Sequence, residues 1–300
     1  MKVVKLFHNP GAGEESHTKK DLVALIESEG FECRYSSTKK EGWEDIEPET
    51  DLVVIAGGDG TVRKVAAELL SRKLVDKRLP IGLLPLGTAN NIAKTLGIEG
   101  QSAVIIEALD KQNIKKYDVG RVEGLKGVKF MIEGLGYGVF PKLIKDMREI
   151  DKQVSDKPEE RMQIAMEKLH DIIMGYKPVY FEITIDEQDY SGKYLLVEVM
   201  NIRSIGPNLQ LAPAADPGDG LFEVVLVGED KREQLAVYVN SKLNGTEKGF
   251  KSKTIKGKKI QIFTKEEIVH VDDELLKPGE PEKIQIELLE GMLDFLVKDK

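Results

Sequence analysis

An apolar, strand-length segment that runs directly into a glycine turn constrains the fold of this chain more than any other feature. Residues 52–56 are apolar and are followed by Gly-Gly-Asp-Gly-Thr at residues 57–61. Apolar residues then recur at helical spacing from Val62 to Leu70, which predicts a helix. A strand, a glycine turn and a helix in this order point backbone N–H groups at one spot, which is typical of an anion site. A simple strand-to-helix turn with a capping side chain is the alternative.

Two more apolar segments near the N-terminus end in turn-forming sequences that lead into helical patterns. Residues 3–7 lead into the loop 9–13, and residues 81–84 lead into the loop 85–91. Strands and helices that alternate at this spacing predict a parallel sheet with helices on its faces. The three loops would then meet at the carboxyl edge of the sheet, where ligands of such folds bind. Their many backbone donors and few cationic side chains suit a nucleotide polyphosphate accompanied by Mg²⁺.

From about residue 115 onward the pattern changes to short strands joined by turns, which predicts an antiparallel, sandwich-like second domain. A chain of 300 residues also favours two domains over one. One helix interrupts these strands, and its apolar stripe from Met162 to Ile173 is typical of a core helix. The wall of an acyl-chain cleft is the alternative for that stripe. A shorter helix is expected at residues 231–239.

Two acidic segments of the second domain are candidates for chemistry. Residues 216–220 read Asp-Pro-Gly-Asp-Gly, so two carboxylates within one turn could hold a hard cation, or could serve only the turn geometry. Asp272, Asp273 and Glu274 follow a predicted strand directly. Transfer of a phosphoryl group to a hydroxyl needs a carboxylate that accepts the proton and a metal that spreads the charge. An acidic loop without a role is the alternative.

Composition excludes several classes of protein. The net charge of −8 argues against a general nucleic-acid binder. The single cysteine, Cys33, permits no intramolecular disulfide and fits a reducing, cytoplasmic setting. The four histidines show no metal-type spacing and are interpreted as structural or exposed. No apolar run approaches the roughly 20 residues that span a bilayer, so a lipid would be reached from the water side. A lysine-rich stretch at residues 248–259 either protects a strand edge or docks on anionic lipid headgroups.

Taken together, the motifs resemble those of the bacterial diacylglycerol kinase-like lipid kinases, relatives of the eukaryotic diacylglycerol and sphingosine kinases. Residues 57–61, the Pro-Leu-Gly-Thr-Ala-Asn of residues 85–90 and the acidic turn 216–220 carry the resemblance, which covers essentially the whole chain. It implies a Rossmann-like, nucleotide-binding α/β domain at residues 1–115, to which residues 290–300 return, and a lipid-binding β-sandwich domain at residues 116–289. It also implies ATP- and Mg²⁺-dependent phosphorylation of a diacylglycerol-like lipid, a step of phospholipid metabolism.

Matched by position, the resemblance implies a set of site residues. The nucleotide would contact Asn9, Pro10, Gly11, Ala12, Gly13, Thr38, Gly57, Gly58, Asp59, Gly60, Thr61, Val62, Arg63, Gly87, Thr88 and Asn90. Asp216, Asp219 and the carbonyl of Leu221 would hold a structural Mg²⁺. The catalytic acids would be Asp272, the expected base, with Glu274 and with Asp59, which would organise the metal or the nucleotide. The family usually has Gly at position 273 and Asp at position 91, so Asp273 stays open as an alternative base and Asn91 removes an acid from the metal network.

Two other functions stay open at this point. NAD kinases share the Gly-Gly-Asp-Gly-Thr motif, but their downstream Asn-Glu pair is absent here, where the chain reads Asn90-Asn91. A nucleotide- or lipid-binding protein without turnover is the other, motivated by Asp273 and Asn91. The expected partner is a lipid substrate at the inner face of a membrane, with no transmembrane segment and no nucleic acid. An exposed edge strand of the sandwich could also support a homodimer.

Overall fold

The computed structural model describes residues 1–12, 17–72, 76–111, 113–150, 158–246, 249–277 and 283–298. The chain forms two compact units, of which one comprises Met1–Asp118 and Glu290–Lys300 and the other Val119–Leu289. The backbone passes from one unit to the other twice, once within the strand Asn113–Glu123 and once within the strand Ile284–Val297. None of the described helices combines the length and the apolar character that crossing a bilayer requires.

The first unit alternates strands and helices. Its elements are β1 (Val3–His8), α1 (Lys19–Ser28), β2 (Glu32–Ser37), β3 (Leu52–Gly57), α2 (Asp59–Ser71), β4 (Ile81–Pro85), α3 (Asn91–Leu96), α4 (Ser102–Glu107) and the first half of β5 (Asn113–Glu123). Thr18 caps α1, because its hydroxyl accepts a hydrogen bond from Asp21 N. Gly97 ends α3 in the left-handed conformation that favours glycine. Both helix ends therefore follow local sequence signals.

Parallel pairing places these strands in the order β2-β1-β3-β4, and Phe295 of the last strand pairs beside β4. Every residue of β1 and of β3 is buried, as expected for a sheet that helices cover on both faces. Because the strands run the same way, the loops after β1, β3 and β4 leave the same edge of the sheet. The predicted parallel α/β architecture is confirmed.

The second unit is built mostly from strands. Its elements are β6 (Phe130–Met131), β7 (Gly134–Gly138), α5 (Val139–Ile150), α6 (Pro158–Gly175), β8 (Val179–Ile185), β9 (Gln188–Asp189), β10 (Gly192–Tyr194), β11 (Leu196–Met200), β12 (Ser204–Ile205), β13 (Leu209–Gln210), β14 (Phe222–Val227), α7 (Arg232–Leu243), β15 (Lys253–Gly257), β16 (Lys259–Thr264), β17 (Val269–Val271), β18 (Glu274–Leu276) and β19 (Ile284–Val297). One sheet has the order β15-β14-β11-β7-β17-β18, and the other joins β10, β8, β16 and the first part of β19. The described pairings within both sheets are antiparallel.

A hydrophobic core between these two sheets makes the unit a sandwich. Alternate residues along each strand face the core, as the pleat of a strand requires. The core includes Phe181, Ile183, Ile260 and Ile262 from one sheet and Val197, Val199, Phe222 and Val224 from the other. The predicted antiparallel sandwich is therefore confirmed.

Helices cover the opposite face of the β14-β11-β7 sheet and form a second core. Leu169 and Ile173 of α6 are buried there together with Leu196 and Val225 of the sheet. The apolar stripe of α6 therefore packs as a core helix, which is the first of its two interpretations. Strands β11 and β14 are buried along their whole length, because the sandwich core lies on one side and the helices on the other.

The sequence pattern missed two neighbouring elements of this unit, β7 and α5. Strand β7 reads Gly-Leu-Gly-Tyr-Gly, and glycine has a low strand propensity. Helix α5 begins directly at its end, with Pro141 in the first turn, where a proline costs no helical hydrogen bond. Both elements form because their apolar residues are buried in the two cores, which is tertiary information.

Candidate functional site

The loops that follow β3 and β4 touch each other through two glycines. A Cβ atom added to Gly87 would overlap the Cα of Gly58, so the two backbones could not approach this closely with a side chain at position 87. Asn90 closes the second loop, since its Oδ1 accepts a hydrogen bond from Gly87 N at 2.9 Å and its Nδ2 donates to Gly87 O at 2.7 Å. Asn90 has a φ of 51°, which asparagine tolerates better than most residues. Glycine at position 87 is thus a requirement of packing.

Asp59, the first residue of α2, connects the same two loops. Its Oδ2 accepts a hydrogen bond from Asn91 N at 2.8 Å, and its Oδ1 accepts one from Ile92 N at 3.0 Å. Both N–H groups belong to the first turn of α3 and cannot be paired within that helix. Asp59 therefore caps α3 from a neighbouring helix, a structural role that the sequence pattern did not reveal. Its catalytic role stays a prediction.

Asn9 connects the loop after β1 to the same glycine turn. Its Nδ2 donates a hydrogen bond to Thr61 Oγ1 at 3.3 Å, and its Oδ1 accepts one from Gly11 N at 3.1 Å. The three predicted loops therefore converge at one edge of the parallel sheet. Of the remaining predicted residues in this loop, Pro10 and Ala12 are described, and Gly13 lies outside the described residues.

The other residues predicted to contact the nucleotide differ in exposure. Thr61 and Val62 are buried, and their N–H groups donate to Gly58 O at 2.9 and 3.1 Å at the start of α2. Thr38 is also buried, and its N–H donates to His8 O at 2.9 Å. Thr88 is exposed in the loop after β4, whereas Gly57 is buried and Gly60 and Arg63 are half-buried.

Two lysines that the sequence pattern missed contact residues predicted to bind the nucleotide. Lys64 Nζ donates a hydrogen bond to Thr38 O at 2.7 Å, and Lys39 Nζ lies next to Gly11. Lys64 belongs to α2 and Lys39 to the segment after β2, so both contacts depend on the fold. Their ammonium groups supply positive charge that the glycine loops lack. Backbone N–H groups together with this charge suit a phosphate group.

In the second unit, the three predicted acids lie on one hairpin. Asp272 and Asp273 form the turn between β17 and β18, and Glu274 begins β18. Asp272 has a φ of 54°, whereas Asp273 is not among the described residues with a positive φ. An aspartate at position 273 therefore fits this turn without left-handed strain. Arg148 Nη2 donates a hydrogen bond to the backbone carbonyl of Asp273 at 3.4 Å.

Three successive backbone N–H groups hold the side chain of Asp272. Its Oδ1 accepts hydrogen bonds from Ile132 N at 3.1 Å, Glu133 N at 2.8 Å and Gly134 N at 3.2 Å. The residue is 7% exposed. Hydrogen bonds to a carboxylate are stronger than those between neutral groups, so this side chain is fixed in one orientation. The donors lie 138 to 140 residues before Asp272 in the chain, so no local sequence pattern predicts these hydrogen bonds.

Beneath this turn, His270 of β17 and Glu198 of β11 form a buried pair, with His270 Nε2 2.8 Å from Glu198 Oε1. Burial lowers the pKa of His270, but the Glu198 carboxyl group and Asp272 together outweigh burial, so the pKa is raised above its ordinary value. Burial raises the pKa of Glu198, and His270 offsets this effect in part. The pair therefore retains a proton to a higher pH than two separate side chains would. His270 is structural, as the sequence suggested, whereas Glu198 was not identified.

The predicted metal-binding turn, residues 216–221, is closed by its own carboxylates. Asp216 Oδ1 accepts a hydrogen bond from Gly218 N at 3.1 Å, and Asp219 Oδ1 accepts one from Leu221 N at 3.0 Å. Lys256 Nζ lies 3.0 Å from Asp219 Oδ2, so the turn already attracts a cationic group. Two carboxylates and a backbone carbonyl are hard oxygen donors, whose chemistry fits Mg²⁺. Within the described ranges, no three His, Cys, Asp or Glu side chains are grouped so that they could hold a metal.

Comparisons with known proteins identify relatives along most of the chain. Diacylglycerol kinase from Bacillus subtilis (strain 168) is 28% identical over 252 residues, which are 80% of this chain and 77% of the relative. Diacylglycerol kinase from Staphylococcus haemolyticus (strain JCSC1435) is 24% identical over 240 residues, 75% of this chain and 67% of the relative. A solved structure of a diacylglycerol kinase from Bacillus anthracis str. Sterne has the same fold, with a TM-score of 0.74, 24% identity and coverage of 99% of this chain and 97% of the other.

Two family models match the chain in succession. The diacylglycerol kinase catalytic domain matches residues 3–122, which include the three glycine loops. The YegS C-terminal NAD kinase beta sandwich-like domain matches residues 150–293, which include the acidic turn and the Asp272 hairpin. Because both models match in order and contain the loops and acids described above, the chain belongs to the bacterial diacylglycerol kinase-like family of lipid kinases.

Proposed function

We propose that this protein is an ATP- and Mg²⁺-dependent kinase that phosphorylates a hydroxyl group of a diacylglycerol-like lipid. Its family supports the class of reaction. The observation that carries the proposal is the convergence of three loops at one sheet edge through the Asn9–Thr61 bond, the Gly58–Gly87 contact and the Asp59 cap. Such an edge offers backbone N–H groups and a helix N-terminus to a polyphosphate.

In the proposed reaction, the first unit binds the nucleotide. The phosphates would be held by N–H groups of the glycine turn and of the loops that contain Asn9 and Thr88. The ammonium groups of Lys39 and Lys64 would balance part of the phosphate charge. When bound with ATP, Mg²⁺ would neutralise charge that develops on the transferring phosphoryl group. We also propose that Asp216, Asp219 and the Leu221 carbonyl hold a structural Mg²⁺.

Asp272 of the second unit is the proposed general base. The lipid hydroxyl oxygen would attack the γ-phosphorus of ATP, its proton would pass to the Asp272 carboxylate, and ADP would leave. The three N–H groups on Oδ1 support this role, because they fix the carboxylate before the reaction and save reorganisation. They also favour Asp272 over Asp273 as the base. Glu274, on the next strand, is proposed as a second acid of the same site.

We place this reaction at the inner face of a membrane, where a diacylglycerol-like substrate would be presented. Such a lipid could be reached from the water side, and the lysines near residues 251–259 could contact anionic headgroups. The product would be a phosphorylated lipid, which makes phospholipid metabolism the proposed context.

Radiolabelled ATP, fractionated membrane lipids and the pure protein test the proposal. We expect label in a lipid fraction, and we expect EDTA to abolish it and added Mg²⁺ to restore it. Formation of NADP from NAD with no labelled lipid would assign the chain to NAD kinase chemistry instead. Nucleotide binding without phosphorylation of either substrate would contradict the kinase proposal and indicate a binding protein without turnover.

A further inference from the structure

The pair formed by Glu198 and His270 meets across a glycine of the strand between them. Glu198 of β11 and His270 of β17 are both in register with Gly136 of β7. A Cβ atom added to Gly136 would overlap the Glu198 carboxyl group, so the missing side chain leaves the space in which the pair forms. Glu198 is 0% exposed and His270 is 1% exposed. Burying ionisable groups costs free energy even when they are paired, because both lose their contact with water. A buried pair at this position therefore needs an explanation other than stability.

His270 joins Glu198 to the backbone of Asp272. The Nδ1 atom of His270 lies 2.8 Å from the carbonyl oxygen of Asp272. A carbonyl oxygen can only accept, so Nδ1 carries a hydrogen and donates it. The Nε2 atom then shares one further proton with the Glu198 carboxyl group, either as an imidazolium with a carboxylate or as a neutral imidazole with a carboxylic acid. In both cases Glu198 fixes the ring orientation that directs Nδ1–H at Asp272.

Asp272 is therefore held from two sides. Its own N–H donates to Gly134 O at 2.7 Å, and its carbonyl accepts from His270, while its side chain is bound to the N–H groups of residues 132–134. Its left-handed φ of 54° is a conformation that a non-glycine residue adopts only when its surroundings impose it. The hydrogen bond from His270 is part of what imposes it.

We propose that the Glu198–His270 pair is a positioning device that holds the Asp272 turn in the conformation from which its carboxylate accepts the proton of the substrate. This inference rests on the proposed function, since it assigns a purpose to the geometry of the proposed base. Neither residue touches a substrate in this scheme. The pair acts on turnover through the backbone of Asp272, and displacement of a catalytic group by about 1 Å can lower a rate about 100-fold.

Two isosteric substitutions of His270 separate this role from simple stability. In His270→Asn the amide nitrogen takes the place of Nδ1, so the bond to the Asp272 carbonyl is kept and the contact with Glu198 is lost. In His270→Gln the amide takes the place of Nε2, so the contact with Glu198 is kept and the bond to Asp272 is lost. Glu198→Gln, which can still bond to Nε2, completes the set. Ile262→Val, a truncation in the facing sheet, reports the effect of reduced core packing alone.

The experiment measures kcat and KM for ATP and lipid, and the hydrogen exchange of the Asp272 and Gly134 amides, in all four variants. We expect His270→Gln to lose about 10- to 100-fold in kcat with unchanged KM and to exchange the Asp272 amide faster. We expect smaller losses of kcat in His270→Asn, which keeps the bond to Asp272 but loses the contact with Glu198, and in Glu198→Gln. Ile262→Val should change neither kcat nor this amide. The proposal would be overturned if kcat followed the thermal stability of the variants, with His270→Asn and His270→Gln equally impaired.

The exchange data also separate this inference from the proposed function. If the parent protein labels no lipid, the kinase proposal fails, and faster exchange of the Asp272 amide in His270→Gln alone still supports control of the turn by His270. If His270→Gln leaves both kcat and the exchange of this amide unchanged, the positioning role is wrong even in an active kinase. Faster exchange with unchanged kcat in an active enzyme contradicts a role in turnover.

Discussion

The two sites of this chain are built in opposite ways. The glycine-loop edge of the first unit is made of backbone groups and small side chains in three short segments, each of which follows a strand directly. The Asp272 hairpin of the second unit depends on side chains and N–H groups from three separate parts of the chain, around residues 132–136, 198 and 270. The first site needs close backbone approach, and the second needs buried, mutually satisfied polar groups.

Because the two sites are built differently, different substitutions should impair them. The proposed anion site, which is built from backbone groups, should fail when a Cβ atom separates two loops, and changes of nearby charge should have smaller effects on it. The Asp272 hairpin, which is held by side chains, should tolerate small changes of side-chain volume. Its stability should depend on the protonation of the buried pair formed by Glu198 and His270. Each of the following variants tests one side of this comparison.

Among the variants that test nucleotide binding by the first unit, the largest effect is expected from Gly87→Ala. The added Cβ would overlap the Cα of Gly58, so the loops after β3 and β4 must separate, at a cost of about 1–3 kcal/mol. We expect ATP affinity, measured by calorimetry, to fall at least about tenfold. Gly175→Ala is the matched control, since a Cβ atom there meets nothing within 4 Å, and it should leave affinity unchanged. Normal affinity in Gly87→Ala would show that the contact between loops is not part of the site.

A smaller effect is expected from Asp59→Ala. The change removes two hydrogen bonds to the first turn of α3, which should lower stability by about 1–2 kcal/mol and disorder the loop after β4. Thr18→Ala removes a cap of α1 at a comparable cost and lies outside the three loops. We expect ATP binding to weaken in Asp59→Ala and to be retained in Thr18→Ala. Equal binding in both variants would mean that Asp59 has a structural role and no part in the nucleotide site.

The smallest effect concerns the pH dependence of stability in the second unit. Because the pKa of His270 is raised in the folded state, its contribution is fully present below the unfolded pKa of about 6.5 and is lost as pH rises through the folded value. Glu198→Gln removes the charge that most strongly raises the pKa of His270, so this pKa falls in the variant and less of the contribution is lost as pH rises above about 6.5.

Native-state hydrogen exchange of the slowest amides in residues 119–289, corrected for the intrinsic rate at each pH, measures this dependence. The parent minus Glu198→Gln difference in unfolding free energy should decrease from pH 5.5 to 8.5, by about 1 kcal/mol or more. His270→Gln supplies the baseline without a titrating ring. A difference that is independent of pH would mean that the pair does not share a proton in the folded state.

The same comparison explains what could be predicted from the sequence. Strands that end in glycine turns are local patterns, so the parallel sheet and its loops were correctly predicted. The run of short strands after residue 115 is also a local pattern, and it correctly predicted the sandwich. The cap that Asp59 provides was missed because the two N–H groups that donate to its carboxylate lie 32 and 33 residues later in the chain. Lys39 and Lys64 were missed for the same reason.

The supporting structure of Asp272 is the part that sequence could not provide. A Gly-Leu-Gly-Tyr-Gly segment reads as a loop, yet it forms the central strand β7, because its glycines make room for Glu198 and its apolar residues are buried. Glu198 itself lies in an otherwise apolar strand, and its partner is 72 residues away. Register between strands decides such pairs, and no local pattern encodes it.

The role of Asp272 as the base is tested most directly by comparing Asp272→Asn with Asp273→Asn in lipid phosphorylation and in ATP binding. If Asp272 is the base, Asp272→Asn should lower kcat by at least about 100-fold while ATP affinity stays within about twofold, and the neighbouring Asp273→Asn should keep most of the activity. Both variants retain the shape of the turn, so a difference between them reports on the proton acceptor. Full turnover in Asp272→Asn, or loss confined to Asp273→Asn, would contradict the assignment of Asp272 as the base.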